Sequence, residues 1–221
     1  MSDKLCAVVG VGPKMGQAIC RAFAEAGYDV ALVSRNSRNL EPYAEQVEKL
    51  GRSAILLEAD ATDSGQIEAA FDTLISRRDV PEVVVYNIAV MTREAPSSLT
   101  PDGLGETLQA NLFGAINSTA AVLPAMRRRG SGVLLYTGGG YGIEPSAERA
   151  NHSVGKAALR TWVHALHKEL TPEGLLAATV TITRPVKSGT DYDPDFIAGL
   201  YVELASQSPP DWKWEIVHKD L

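Results

Sequence analysis

The chain has 221 residues, 45% of them hydrophobic and 22% charged, a composition that excludes a disordered or fibrous protein. Its length suits one domain, 1–221, with a sizeable core. Lys and Arg number 21 against 27 Asp and Glu, a net charge of −6, so no global positive field draws it to nucleic acid or an anionic membrane, and neither is expected as a partner. Cys6 and Cys20 are too few for a disulfide framework and read as small reduced core residues. The chain opens Met1-Ser2-Asp3-Lys4 and runs straight into an apolar stretch too short to span a bilayer. No targeting segment is read there, and a cytoplasmic location is the expectation.

Short apolar runs alternate with longer stretches of helical period. A buried strand is predicted over 5–9, followed by a helix on which Met15, Ile19 and Phe23 recur every four residues until Gly27 closes it. A strand over 30–33 leads to an amphipathic helix through Leu40, Tyr43, Ala44, Val47 and Leu50, closed by Gly51. A third strand covers 54–57. Thr62, Asp63 and Ser64 offer caps to a helix whose face carries Ile67, Ala70, Phe71, Leu74 and Ile75. Strand 83–85 precedes a long helix that begins with the cap Thr100 and Pro101 and runs to about Arg129, interrupted or bent near Pro124. Strand 133–136 is followed by the run Gly138-Gly139-Gly140. Then come a helix over 150–170, a strand over 178–182, a helix over 194–206 and a last strand over 214–217. Such alternation, with right-handed crossovers, predicts an α/β fold: a doubly wound parallel sheet of about seven strands with helices on both faces, of the Rossmann type.

The first strand ends in Gly10-Val11-Gly12-Pro13-Lys14-Met15-Gly16, and a helix follows. Glycines there allow a tight turn, close approach of backbone to a pyrophosphate and close helix–strand packing, and the helix N-terminus presents N–H groups and a positive dipole end. A glycine triplet alone is weak; in the first βα turn it points to a dinucleotide. An enzyme that binds NAD usually has an acid about 20 residues on, to hold the ribose 2′-OH. Here Ser34 stands 18 residues after Gly16, followed by Arg35, Asn36 and Arg38. Serine and arginine suit a 2′-phosphate, with Lys14 adding charge on the same side, so NADP(H) is expected over NAD(H). The alternative for these side chains is a solvated basic loop.

These motifs, taken together, resemble the short-chain dehydrogenase/reductase family over nearly the whole chain. Val9-Gly10 through Gly16 is similar to the family's Thr-Gly-x-x-x-Gly-x-Gly, with Lys14 in place of the middle glycine. Asp60-Ala61-Thr62-Asp63 follows the third strand as in the family, where the Asp and its neighbour border the adenine. Tyr86-Asn87-Ile88-Ala89 resembles Asn-Asn-Ala-Gly, and Asn111-Leu112-Phe113-Gly114 matches the helix Asn whose backbone binds a relay water. Pro185 opens a stretch similar to Pro-Gly-x-x-x-Thr, with Val186 for the glycine and Thr190 where the family's Thr holds the nicotinamide carboxamide. The resemblance implies cofactor contacts at Gly10, Gly12, Lys14, Met15, Gly16, Ser34, Arg35, Asp60, Ala61, Asn87, Ala89, Lys156, Pro185 and Thr190. The family also uses a Tyr four residues before a Lys and a Ser some thirteen residues earlier. Lys156 is present, but His152 stands four before it and glycines stand at 138–140. The chain thus resembles divergent members with incomplete motifs.

On this reading Lys156 holds the nicotinamide ribose and tunes its neighbour, Asn111 keeps a relay water, and His152 replaces the family's acid/base. The alternative for His152 and Lys156, which share a helix face at i and i+4, is a solvent-facing pair. Tyr141 follows the glycine run, where the loop is expected near the nicotinamide; it either lends a phenol or packs against substrate, with packing favoured, and Thr137 either offers a displaced hydroxyl or, as a strand residue, points elsewhere. His164 and His167 read as surface residues, since no further ligand completes a metal set, and no metal is expected. Arg127-Arg128-Arg129 at a helix end is explained by the dipole, and Trp212 and Trp214 as packing. The expected function is NADP-dependent hydride transfer to or from a small carbonyl or alcohol. The rivals are a cofactor-binding protein without redox catalysis (a sensor or partner), and a non-redox enzyme (isomerase, lyase or cyclase) reusing the cleft. The resemblance also implies a homo-oligomer, dimer or tetramer, with Leu108, Leu112, Trp162 and Leu166 supplying spare apolar surface.

Overall fold

The computed structural model describes residues 4–219. The opening Met1, Ser2 and Asp3, on which the reading of no targeting segment partly rests, lie outside them. One sheet of seven parallel strands runs in the order β3-β2-β1-β4-β5-β6-β7, with β1 Leu5–Val9, β2 Asp29–Ser34, β3 Ala54–Glu58, β4 Val83–Tyr86, β5 Gly132–Gly139, β6 Leu175–Ile182 and β7 Glu215–His218. The helices are α1 Met15–Glu25, α2 Glu41–Lys49, α3 Ser64–Arg77, α4 Pro101–Leu108, α5 Gly114–Arg129, α6 Ala150–Leu170 and α7 Pro194–Ala205. The strand order reverses at β1, whose two neighbours are β2 and β4. That reversal opens a crevice beyond the carboxyl ends of β1 and β4, the place where such sheets bind ligands.

The strands are apolar at consecutive positions because both faces are covered. In β1, Leu5, Ala7 and Val9 point to the layer of α3, α5 and α6, where they meet Phe71, Leu74, Val122, Met126 and Val163. Cys6 and Val8 point to the layer of α1, α2 and α7, among Ile19, Phe23, Val47, Ile197 and Leu204. Burial pushes both thiols well above the ordinary cysteine range, which keeps them unreactive. Among the described helices none is long and apolar enough to cross a membrane.

Four local expectations are corrected by the fold. The long helix is not interrupted at Pro124, which lies within α5; it changes at Gln109–Phe113, one π-helical turn between α4 and α5. The Tyr86 hydroxyl, fully buried at the end of β4, donates to the Ala110 carbonyl at 2.5 Å and so competes for an acceptor of the helical ladder. Gly114 lets the helix come that close, since a Cβ there would overlap the same hydroxyl. The glycine run is not a loop after β5: Gly138 and Gly139 are strand residues opposite Thr181 and Ile182. A Cβ on Gly138 would lie 2.5 Å from Thr181 Oγ1, which is why glycine is needed there. β6 starts at Leu175 because 175–178 is one continuous apolar run. Most of the expected spare apolar surface is already used: Leu166 is buried, and Leu112 and Trp162 pack on the molecule's own core, while Leu108 is half-buried.

Several polar residues prove more structural than the sequence indicates. Arg127 does not serve the helix dipole alone; its guanidinium reaches Glu173 at 2.7 Å and Glu169 at 2.8 Å, tying α5 to the end of α6. Arg129 donates to the carbonyls of Val80 and Pro81. His164 stacks on Trp214 with ring centroids 4.1 Å apart, and His167 Nδ1 lies 3.1 Å from the Ala177 carbonyl. No three His, Cys, Asp or Glu among the described residues cluster as a metal site.

Candidate active site

The glycines of the β1–α1 turn make a cradle whose shape only they permit. Gly10 has φ +92°, and a Cβ there would overlap Ile88; a Cβ on Gly16 would stand 2.9 Å from Val11 Cα. Gly12 has nothing within 4 Å of its open side, which is the room a ligand needs. α1 starts with no side-chain cap and no acid in its first turn. These features fit a pyrophosphate at a helix N-terminus. Lys14, at φ 64° and ψ −109°, is the one non-glycine residue with positive φ among the described residues, so the family's middle glycine has a conformational reason. A cation at a helix N-terminus is also disfavoured unless an anion accompanies it. Lys14→Gly is therefore expected to stabilise the ligand-free protein by about 1 kcal/mol, relief of strain outweighing added chain entropy. Denaturant melts would show a higher midpoint; a lower one would rule out strain at this residue.

A cleft of about 580 Å³ opens beside the turn. Gly10, Gly12, Ser34, Arg35, Asp60, Ala61, Asn87 and Ala89 line it together with Val11, Thr62, Ile88, Val90, Glu106 and Gln109. Met15 and Gly16 lie buried behind the turn, and Lys14 is exposed at its edge. The loop after β2 is shaped by its own side chains: Ser34 Oγ accepts from Asn36 N, Asn36 Oδ1 from Arg38 N, and Glu58 Oε2 from the backbone N and hydroxyl of Ser37. Those bonds hold the Glu58 carboxyl below its ordinary pKa. Glu58 follows from no local pattern; it reaches the loop because β2 and β3 pair Ser34 with Glu58.

A second cavity, of about 190 Å³, lies beyond the loop at Val90 and Met91. Met91, Gly139, Gly140, Tyr141, Arg149, His152, Ile182, Thr183, Arg184 and Pro185 line it. His152 and Lys156 are not a solvent-facing pair: they are 6% and 2% exposed, because α6 packs its first turns against the end of β5. His152 Nδ1 lies 3.1 Å from the Val90 carbonyl. A carbonyl only accepts, so Nδ1 carries the proton and neutral His152 turns a free lone pair on Nε2 toward Gly139. Burial, more than the Lys156 charge, holds the imidazole below its ordinary pKa. Lys156 Nζ donates to the Thr137 carbonyl at 2.7 Å, and burial brings it down to about 8. Tyr141 meets the His152 ring edge-on, centroids 5.9 Å apart.

Other expected site residues act at one remove. Asn111 grips Val90 with both ends of its amide, donating to its carbonyl and accepting from its N–H, each at 2.9 Å. That fixes the acceptor of His152. Thr137 offers no hydroxyl to the cavity: its Oγ1 donates to Asn87 Oδ1 at 2.8 Å and bonds the Tyr201 hydroxyl at 2.7 Å, while Asn87 Nδ2 donates to the Gly10 carbonyl. Thr190 lies in neither lining; its hydroxyl closes a turn by donating to the Lys187 carbonyl.

A family model described as short chain dehydrogenase matches residues 4–194. The chain belongs to the short-chain dehydrogenase family. An uncharacterized oxidoreductase of Staphylococcus epidermidis is 24% identical over 195 residues, covering 87% of this chain and 84% of that one. A short-chain dehydrogenase from Rhodopseudomonas palustris has the same fold, with TM-score 0.88, 22% identity and 99% of each chain covered. So has a metagenomic short-chain oxidoreductase solved in complex with NADP, at TM-score 0.87, 22% identity, and 98% and 97% covered. His152 stands four residues before Lys156, and glycines occupy 138–140, where the resemblance implies a Tyr and a Ser.

Proposed function

We propose that the protein is an NADP-dependent oxidoreductase that moves hydride between the nicotinamide and a small carbonyl or alcohol. The observation that carries this reading is the arrangement of two adjoining cavities, one beside the glycine cradle and one holding His152. A bound nicotinamide cofactor supplies the hydride donor or acceptor. Gly10, Gly12 and the α1 N-terminus hold its phosphates, Asp60 and Ala61 border the adenine, and Lys156 holds the nicotinamide ribose. His152 Nε2 takes the hydroxyl proton of an alcohol, and protonated His152 returns it to a carbonyl oxygen. Tyr141 and Pro185 pack beside the substrate.

Cofactor choice rests on the end of β2, where Ser34 leaves no carboxylate to repel a 2′-phosphate and Arg35 stands on the cleft wall. Arg35→Ala is expected to weaken NADPH binding about 10–100-fold, the worth of one charge-assisted bidentate contact, and to change NADH binding little. Fluorescence titration with both cofactors decides it, and wild type binding NADH as tightly as NADPH would refute the preference. The reading includes a homo-oligomer, supported by Phe113 and Val154, exposed on the α5 and α6 side of the molecule. Light scattering should return at least twice the 23.7 kDa chain mass, and a monomer at micromolar concentration would refute it.

A further inference from the structure

We propose that the substrate of the His152 cavity carries a carboxylate, held by Arg149; this rests on the reading that the cavity is the substrate site. The chain is acidic overall, yet the charged residues among those lining this cavity, Arg149 and Arg184, are both arginines. Arg149 is half-buried at the N-cap of α6, three residues before His152, and both line the cavity. Two neighbouring acids are engaged elsewhere: Glu148, next in the chain, pairs with Arg93 at 3.4 Å, and Glu94, whose backbone bridges Arg149, accepts at Oε2 from the Asn151 amide. Among the described residues no carboxylate comes within ion-pairing distance of the Arg149 guanidinium. A partly desolvated guanidinium of this kind matches a carboxylate through two parallel N–H donors.

The rest of the wall sets the body of the molecule. Met91, Tyr141, Ile182 and Pro185 are apolar, and about 190 Å³ is below the usual range of roughly 300–1,000 Å³ for drug-sized ligands. The geometry therefore points to a short oxo or hydroxy acid, its carboxylate on Arg149 and its oxygen at His152.

The test separates recognition from chemistry. Pentanoate, which cannot react, is titrated calorimetrically against pentanamide, its uncharged match in shape, with and without saturating NADP. Wild type and Arg149→Lys should bind pentanoate about 10–100-fold more tightly than pentanamide, and Arg149→Gln should bring the ratio near one. Equal binding of the two probes, binding of neither, or a ratio unchanged in Arg149→Gln overturns the proposal. Inorganic phosphate that displaces pentanoate at equal concentration overturns the choice of a carboxylate. Turnover is then followed with oxo acids of three to six carbons and their amides. Discrimination in binding with no turnover sinks the redox reading and leaves the anion site standing; turnover that favours the amides overturns the anion site alone.

Discussion

Alcohol oxidation by His152→Ala is expected to fall about 10²–10³-fold, within the usual worth of a general base, with NADP(H) binding little changed. The fold should tolerate the change, because the Val90 carbonyl that His152 leaves still accepts from Asn111 Nδ2 at 2.9 Å. The wild-type pH profile follows from the two buried groups. Oxidation needs neutral His152, and burial holds its pKa below the usual imidazole value, so the rate should climb with pH through a value below 6.5 and then level off. Lys156 loses its charge as pH rises through about 8, and oxidation should decline there as the grip on the ribose weakens. Carbonyl reduction needs the imidazolium instead, so it should fall as pH rises through the same low value. Steady-state rates of wild type and His152→Ala across pH 5 to 9 check both limbs. An acid limb that survives in His152→Ala would remove His152 from the proton step, and Tyr141→Phe then asks whether the neighbouring phenol carries it. If wild type binds NADPH and turns over no carbonyl or alcohol, the non-redox readings of the cleft take its place.

Gly139→Ser is the opposite experiment, expected to gain activity. A Cβ on Gly139 would stand 3.7 Å from His152 Nε2 and 3.3 Å from Lys156 Cγ, so a serine hydroxyl there enters the space where a substrate oxygen meets His152. A hydrogen-bond donor aimed at developing oxyanion charge is commonly worth about 10²–10³-fold, and one added without evolved placement should recover about 10–100-fold in kcat for carbonyl reduction. KM should move less, because the donor acts mainly on charge that appears in the transition state. Gly139→Ala separates the hydroxyl from its stem: the methyl is tight only against the flexible side chain of Lys156, stands in ordinary contact with His152 Nε2, and should leave the rate near wild type. Equal rates for the Ser and Ala variants would show that position 139 does not face the reacting oxygen.

The layers of the fold were legible in the sequence because they depend on short-range patterns. Consecutive apolar runs such as 5–9 and 83–85 require cover on both faces, and the fourfold recurrence of Met15, Ile19 and Phe23 makes a helix. The glycine turn with Ser34 and Arg35 pointed to a cofactor cleft for the same reason, since backbone clearance and local charge belong to neighbours in sequence. Tertiary structure decided the chemistry of the second cavity. Arg149, just before α6, meets the wall formed by Met91 and Ile182 only because β4, β5 and β6 lie side by side. The burial that depresses His152 and Lys156 comes from packing α6 on the end of β5, a contact no helical period encodes. The same holds for Tyr86, which sets the π-helical turn through a carbonyl 24 residues away. Local pattern says which face of an element is apolar; which partner desolvates a polar group depends on chain segments brought together by crossovers.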